Sequence, residues 1–219
     1  MKALFLAAAF VCFGAIAPAQ FPGQTPALPP APAAPVPALP KIYATVRVVL
    51  ITSLGPITVA VEKERAPVTA GNFLRYVDQK RYDGVTFYRR SQAPGEPTRG
   101  FVQAGTTDPK RVLPPIAHEP TTKTGLSHVD GALSSPRFAP GTARGDFTII
   151  LGGAPWMDAD PKAAGDNVGF AVFGRVVEGM DVVAKILAAP TSLTKGAGVM
   201  KGEMLEPAIR IISARRAPN

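Results

Sequence analysis

Eight short runs of β-branched and aromatic residues, separated by glycine, proline and polar stretches, dominate the chain beyond residue 44. They fall at 45–52, 56–62, 85–90, 101–104, 131–135, 146–151, 170–177 and 206–213. Runs of this length and composition predict strands. The first two flank Ser53-Leu54-Gly55 and read as a β-hairpin. Only two segments suggest helices. Pro67 opens one at its first turn, where a missing N–H is harmless, and Ala70, Phe73, Leu74 and Val77 give it one apolar stripe. The other, about 179–188, carries Met180, Val183 and Leu187 on one face. Many short strands with two separated helices predict a mainly β fold, a closed antiparallel barrel capped at both ends. The stretches 91–100, 106–125, 136–145 and 158–168 are predicted loops, the places where a rigid barrel builds a binding groove.

The barrel region is preceded by two segments of different character. Residues 1–19 read as a secretory signal. Lys2 supplies the positive end, Leu4 to Ile16 the apolar stretch, and Ala17-Pro18-Ala19 a small-residue cleavage site before Gln20. A retained N-terminal anchor is the alternative. Lipid attachment at Cys12 is disfavoured because Val11 precedes it. Residues 21–40 hold eight of the 24 prolines and no charge. With Gln20 they form an extended, polyproline-like linker rather than a packed element. Residues 41–219 are then one domain, long enough for a single hydrophobic core.

Charge and cysteine content narrow the partners. Cys12 is the only cysteine, so the processed chain would have neither thiol nor disulfide. Without Lys2, 23 basic residues face 16 acidic ones. The basic residues are scattered, with no run of five. This predicts a solubility feature rather than nucleic-acid binding.

Familiar catalytic constellations are missing from the sequence. There is no Gly-x-Ser-x-Gly elbow. His118 and His128 are not at helical metal spacing. Asp158-Ala159-Asp160 begins like a calcium loop, but Ala163 and Gly169 stand where its glycine and glutamate are needed. The expectation is therefore no metal and no cofactor.

Arg89 stands out. In Val85-Thr86-Phe87-Tyr88-Arg89-Arg90, strict alternation would put its guanidinium on the face of Val85 and Phe87. A half-buried guanidinium is costly unless it is paired or has a task. The other reading places Arg89 at the strand end, reaching to water.

Downstream lie Gly100-Phe-Val-Gln-Ala-Gly105, Gly131-Ala-Leu-Ser134, Gly145-Asp-Phe-Thr-Ile149, Trp156-Met-Asp158 and Phe173-Gly-Arg-Val-Val-Glu-Gly-Met180. In this order and spacing the chain resembles the cyclophilin family of peptidyl-prolyl cis-trans isomerases, from about Val46 to Ile212. The resemblance implies eight strands with two capping helices, and Arg89 as the catalytic residue. Tyr88 stands where the family often has histidine. Gln103 matches the glutamine that contacts the substrate backbone. Phe101 falls beside the proline-pocket residues, in a segment one residue shorter than usual, which leaves its register open. Pro136 and Arg137 occupy positions whose backbone pairs with the peptide. Trp156 and Met157 match the family's tryptophan and its apolar neighbour. Asp146 replaces a glutamine, Phe147 keeps the following aromatic, and Phe170 replaces a rim histidine. Thr148 replaces a phenylalanine that walls the pocket, which should loosen it. Taken alone, Phe101, Phe147 and Phe170 are equally readable as core.

The chemistry such residues suit is rotation about X–Pro bonds. Amide resonance sets a barrier of roughly 18–20 kcal/mol. A donor aimed at the prolyl nitrogen localises its lone pair, and an always-charged, rigid fork is suited to that. The expectation is an exported isomerase, periplasmic or secreted, acting on proline-containing polypeptides and assisting their folding. It would be a monomer without stable membrane insertion after signal cleavage. The alternatives are a catalytically weak or inactive proline-peptide binder and a tethered structural protein. The insertion Ser91 to Arg99 should project near the site.

Overall fold

The computed structural model describes residues 41–106 and 108–217. The signal and linker readings fall on residues outside these. Eight strands form one closed antiparallel barrel. They are β1 (Val46–Thr52), β2 (Gly55–Val61), β3 (Thr86–Ala93), β4 (Glu96–Gly105), β5 (Ala132–Ser135), β6 (Phe147–Leu151), β7 (Ala171–Glu178) and β8 (Met204–Arg216). Around the barrel the order is β1-β2-β7-β5-β6-β4-β3-β8, and β8 pairs back onto β1. Closure leaves no sheet edge unpaired. The architecture expected from the strand pattern is thus present.

Helix α1 (Pro67–Asp78) packs on β7 and β8, and α3 (Met180–Ala188) on β2, β3, β4 and β6. A single turn, α2 (Thr121–Thr124), lies within the stretch predicted as loop. Pro67 does open α1, but no side chain of its own caps that end. The buried Glu119 does so from 50 residues away. It accepts from the Thr69 amide (2.7 Å), the Thr69 hydroxyl (2.8 Å) and the Val68 amide (3.2 Å). A carboxylate on orphan N–H groups also complements the helix dipole.

Two expectations need correction. Residues 91–100 are not a loop: β3 and β4 extend through them as a hairpin. Gly100 allows this closure. Its φ is +143°, and a Cβ there would lie 1.9 Å from the Ser91 carbonyl oxygen. Phe147 does not face a binding surface. It is fully buried, edge-on to Phe73 (5.4 Å), Tyr82 (5.3 Å) and Phe87 (5.8 Å). These rings join α1 to the barrel interior, where Leu50, Ile57, Val59, Val102, Leu133 and Ile149 are also buried.

Candidate active site

The position of Arg89 comes from a bulge. Phe87 pairs with Ala104 and Arg89 with Gln103, so Tyr88 is an extra residue on β3. The register against β8 shifts at the same place. Alternation is interrupted there. Phe87 keeps the buried interior, and Arg89 joins the face that carries Gln103. The sequence-based placement of Arg89 beside Val85 and Phe87 is therefore corrected.

On β4, Phe101 and Gln103 share one face while Val102 and Ala104 are buried in the core. This resolves the register of the shortened segment. The Arg89 guanidinium carbon lies 5.0 Å from the Phe101 ring centroid. Its Nη1 donates to Gln103 Oε1 (3.1 Å). Its Nε donates to Glu203 Oε2 (2.8 Å), and Nη2 lies 2.7 Å from the same oxygen. A guanidinium has five N–H groups. Among the described residues, at least one on each terminal nitrogen is left for a ligand.

Gln103 is committed on both ends. Its Nε2 donates to the Tyr88 hydroxyl (2.5 Å) and to Asp146 Oδ2 (3.2 Å). The Tyr88 hydroxyl donates to Asp146 Oδ2 (2.6 Å). Burial raises the Asp146 carboxyl above its ordinary value, while the bonds from Tyr88 and Gln103 oppose the shift. Burial, followed by the charge of Asp146, also pushes the Tyr88 phenol far up, so it remains a donor. In this conformation the Gln103 amide fixes Arg89 and has no free N–H for a peptide.

Thr148 lies directly across from Gln103 on β6 and from Ser134 on β5. Its hydroxyl donates to the Ser134 carbonyl (3.3 Å), and it is only 3% exposed. The missing phenylalanine therefore leaves no open hole at Thr148 itself. Behind Ser134 lies His128, which the sequence marked only as lacking metal spacing. It is buried between the Ser134 hydroxyl (Nε2, 2.8 Å) and Asp158 (Nδ1, 2.6 Å). Burial depresses its pKa, against the pull of Asp158. The neutral ring donates to Asp158 and accepts from Ser134.

Asp158 leads to the second half of the site. Arg137, Trp156, Met157, Phe170 and their loops line a cavity of about 380 Å³. Trp156 is exposed and Met157 buried. The Arg137 side chain is a loop clamp. It grips Asp166 with both terminal nitrogens (2.5 and 2.9 Å), donates to the Gly169 carbonyl, and stacks 5.3 Å from the Phe170 ring centroid. Its backbone role for a peptide, implied by resemblance, does not depend on that side chain. The predicted residues thus form two groups, Arg89-Phe101-Gln103-Asp146 and Arg137-Trp156-Met157-Phe170. The line Gln103-Thr148-Ser134-His128-Asp158 joins them, and Phe147 belongs to neither. Sequence reasoning missed Glu203, Ser91 and the His128 relay. No local motif marks them: Glu203 lies 114 residues from Arg89 and 112 from Ser91, and His128 30 from Asp158.

A closed eight-stranded antiparallel barrel with two packed helices is the cyclophilin fold, and solved structures bear this out. A Cryptosporidium parvum cyclophilin type peptidyl-prolyl cis-trans isomerase superposes with a TM-score of 0.60 at 17% identity, covering 80% of this chain and 99% of that one. The same protein in the presence of the dipeptide Ala-Pro gives 0.59, at 16% identity, with coverage of 79% and 99%. At the sequence level the family model described as cyclophilin type peptidyl-prolyl cis-trans isomerase matches residues 47–215. The chain belongs to that family, and its activity is peptidyl-prolyl cis-trans isomerisation. Peptidyl-prolyl cis-trans isomerase A of Dickeya dadantii is 32% identical over 145 residues, 66% of this chain and 72% of the relative. An Acinetobacter baylyi isomerase is 34% identical over 142 residues, 64% and 71% of the two chains. A Synechocystis protein whose name places it in the thylakoid lumen is 28% identical over 195 residues, 72% of this chain and 51% of its own length.

Proposed function

We propose that Arg89 is the electrostatic catalyst of this isomerisation and that the substrates are proline-containing segments of exported proteins. The observation that carries the reading is the fixed Arg89 guanidinium. Phe101, Gln103 and Glu203 hold it, while among the described residues both terminal nitrogens keep an uncommitted N–H. A donor directed at the prolyl nitrogen favours the pyramidal, single-bonded form reached in the rotational transition state. No proton is transferred and no covalent bond forms. Phe101, Met157 and Phe170 supply apolar surface for the proline ring. The Ala-Pro dipeptide present with the Cryptosporidium relative supports a proline-peptide ligand here. Export is supported by the pattern of residues 1–19 and by the thylakoid lumen relative.

A slow enzyme or a binder is the second reading. The short, buried Thr148 and the internally committed Gln103 favour it. The test is isomerisation of a short Ala-Pro peptide by the mature chain and by Arg89→Lys and Arg89→Ala. Losing one preorganised donor should slow catalysis about 10²-fold, while far-UV circular dichroism stays native. Activity of both variants within about twofold of wild type rejects Arg89 as catalyst. Protein sequencing of the exported form should find Gln20 first.

A further inference from the structure

We propose that Glu203, which none of the motifs carrying the cyclophilin resemblance contains, is the positioning residue for Arg89; this rests on the reading of Arg89 as catalyst. Glu203 lies just before β8, 114 residues from Arg89 in the chain. One of its oxygens, Oε2, meets Nε and Nη2 along one side of the guanidinium. The other, Oε1, accepts from the Ser91 hydroxyl at 2.5 Å. Its carbonyl accepts from the Arg90 amide at 3.0 Å. Glu203 is thus held by backbone and side chain at the two residues that follow Arg89 in β3. The two side chains are 16% and 25% exposed, so the pair is mostly withdrawn from water.

The direction of approach matters. A carboxylate across the two terminal nitrogens would occupy the edge that a substrate needs. Here it takes the Nε side instead. Gln103 takes one N–H of Nη1, and Phe101 lies under the plane. The guanidinium is restrained on three sides before substrate arrives, so little orientation remains to be imposed during the reaction. The hairpin extension belongs to the same device. Ser91 is paired with Phe101 on β4, next to the Gly100 closure, and so is placed to fix the free oxygen of Glu203. The extension is thereby a support for the catalytic side chain.

The experiment uses the mature protein and a peptide with one Ala-Pro bond. Exchange NMR at saturating peptide gives the bound exchange rate, and titration gives Kd. Glu203→Ala should lower the exchange rate about tenfold with Kd unchanged. Glu203→Gln, whose amide oxygen can still accept from Nε, should recover most of that rate. In an Arg89→Lys background Glu203→Ala should have no further effect, because lysine has no fork to orient. Ser91→Ala should show a smaller loss, and it carries the test if Glu203→Ala is unfolded by circular dichroism. Rates unchanged or raised on losing Glu203, or an equal loss in the Arg89→Lys background, overturn the proposal. A wild-type rate retained by Arg89→Lys overturns instead the reading of Arg89, and this proposal with it.

Discussion

Gln103 lies across from Arg89 only because Tyr88 is squeezed out of the β3 ladder. Without that bulge Arg89 would share a face with Phe87, inside the barrel. The same extra residue brings the Tyr88 hydroxyl to Gln103 and Asp146. One irregularity therefore places the guanidinium and supplies the far end of the network that holds it. Bulges commonly re-aim side chains in this way next to active sites.

Asp146 gives a pH signature in stability. Its folded pKa is raised, chiefly by burial, above the ordinary carboxylate value of 3.8. In the window above 3.8 the folded state binds more protons than the unfolded one, so stability from this group falls as pH rises. Asp146→Asn keeps an acceptor for Tyr88 without the buried charge. Its melting temperature should exceed that of wild type at pH 7 and converge with it below pH 4. A variant less stable than wild type at pH 7, with no gap at pH 4, contradicts this account.

His128 acts with the opposite sign. Its pKa is depressed below 6.5 by burial, so the unfolded state binds more protons there and stability is lost as pH falls below that value. Wild type should lose melting temperature between pH 6.5 and 5 more steeply than His128→Gln. Parallel curves for the two proteins would remove His128 as the source.

The proposed proline pocket lacks the wall phenylalanine that Thr148 replaces. Losing an aromatic contact there should weaken transition-state binding by roughly 1–3 kcal/mol. At about 1.4 kcal/mol per tenfold, the enzyme should be one or two orders of magnitude slower than a relative with phenylalanine. Because Thr148 is buried, Thr148→Phe alone should overpack and destabilise by about 1–3 kcal/mol. The double variant Thr148→Phe, Phe170→His, which restores both family residues, should raise kcat/KM. If neither variant gains activity, the pocket argument fails.

Glu119 should matter for folding and not for catalysis. Glu119→Ala leaves the buried amide and hydroxyl of Thr69, and the more exposed Val68 amide, without their acceptor. A loss of about 2–3 kcal/mol in urea unfolding is expected, with kcat/KM per folded molecule unchanged. A change below about 0.5 kcal/mol, the range of ordinary surface substitutions, would show that α1 is held by packing alone.

The sequence alone determined what depends on local periodicity. Alternation over four to eight residues marked the strands, and the Ala70-Phe73-Leu74-Val77 stripe marked α1. Pro67 marked its start. Arg89, Phe101 and Gln103 were legible because family residues recur in order, and the structure brings these three together. Tertiary structure decided whatever depends on a partner strand. Period two cannot show a bulge, so alternation pointed Arg89 to the face of Phe87, and only the strand-end reading kept it near water. Resemblance alone put Phe147 with the site, whereas the pairing of β6 buries it in the core and sets Thr148 across from Gln103. Glycine and proline in 91–100 looked like loop because the close approach of Gly100 to Ser91 exists only once the hairpin is paired. Glu203 with Arg89, and Glu119 with Thr69, join residues whose separation along the chain carries no local signal. Their contacts exist because barrel closure brings distant segments within hydrogen-bond distance.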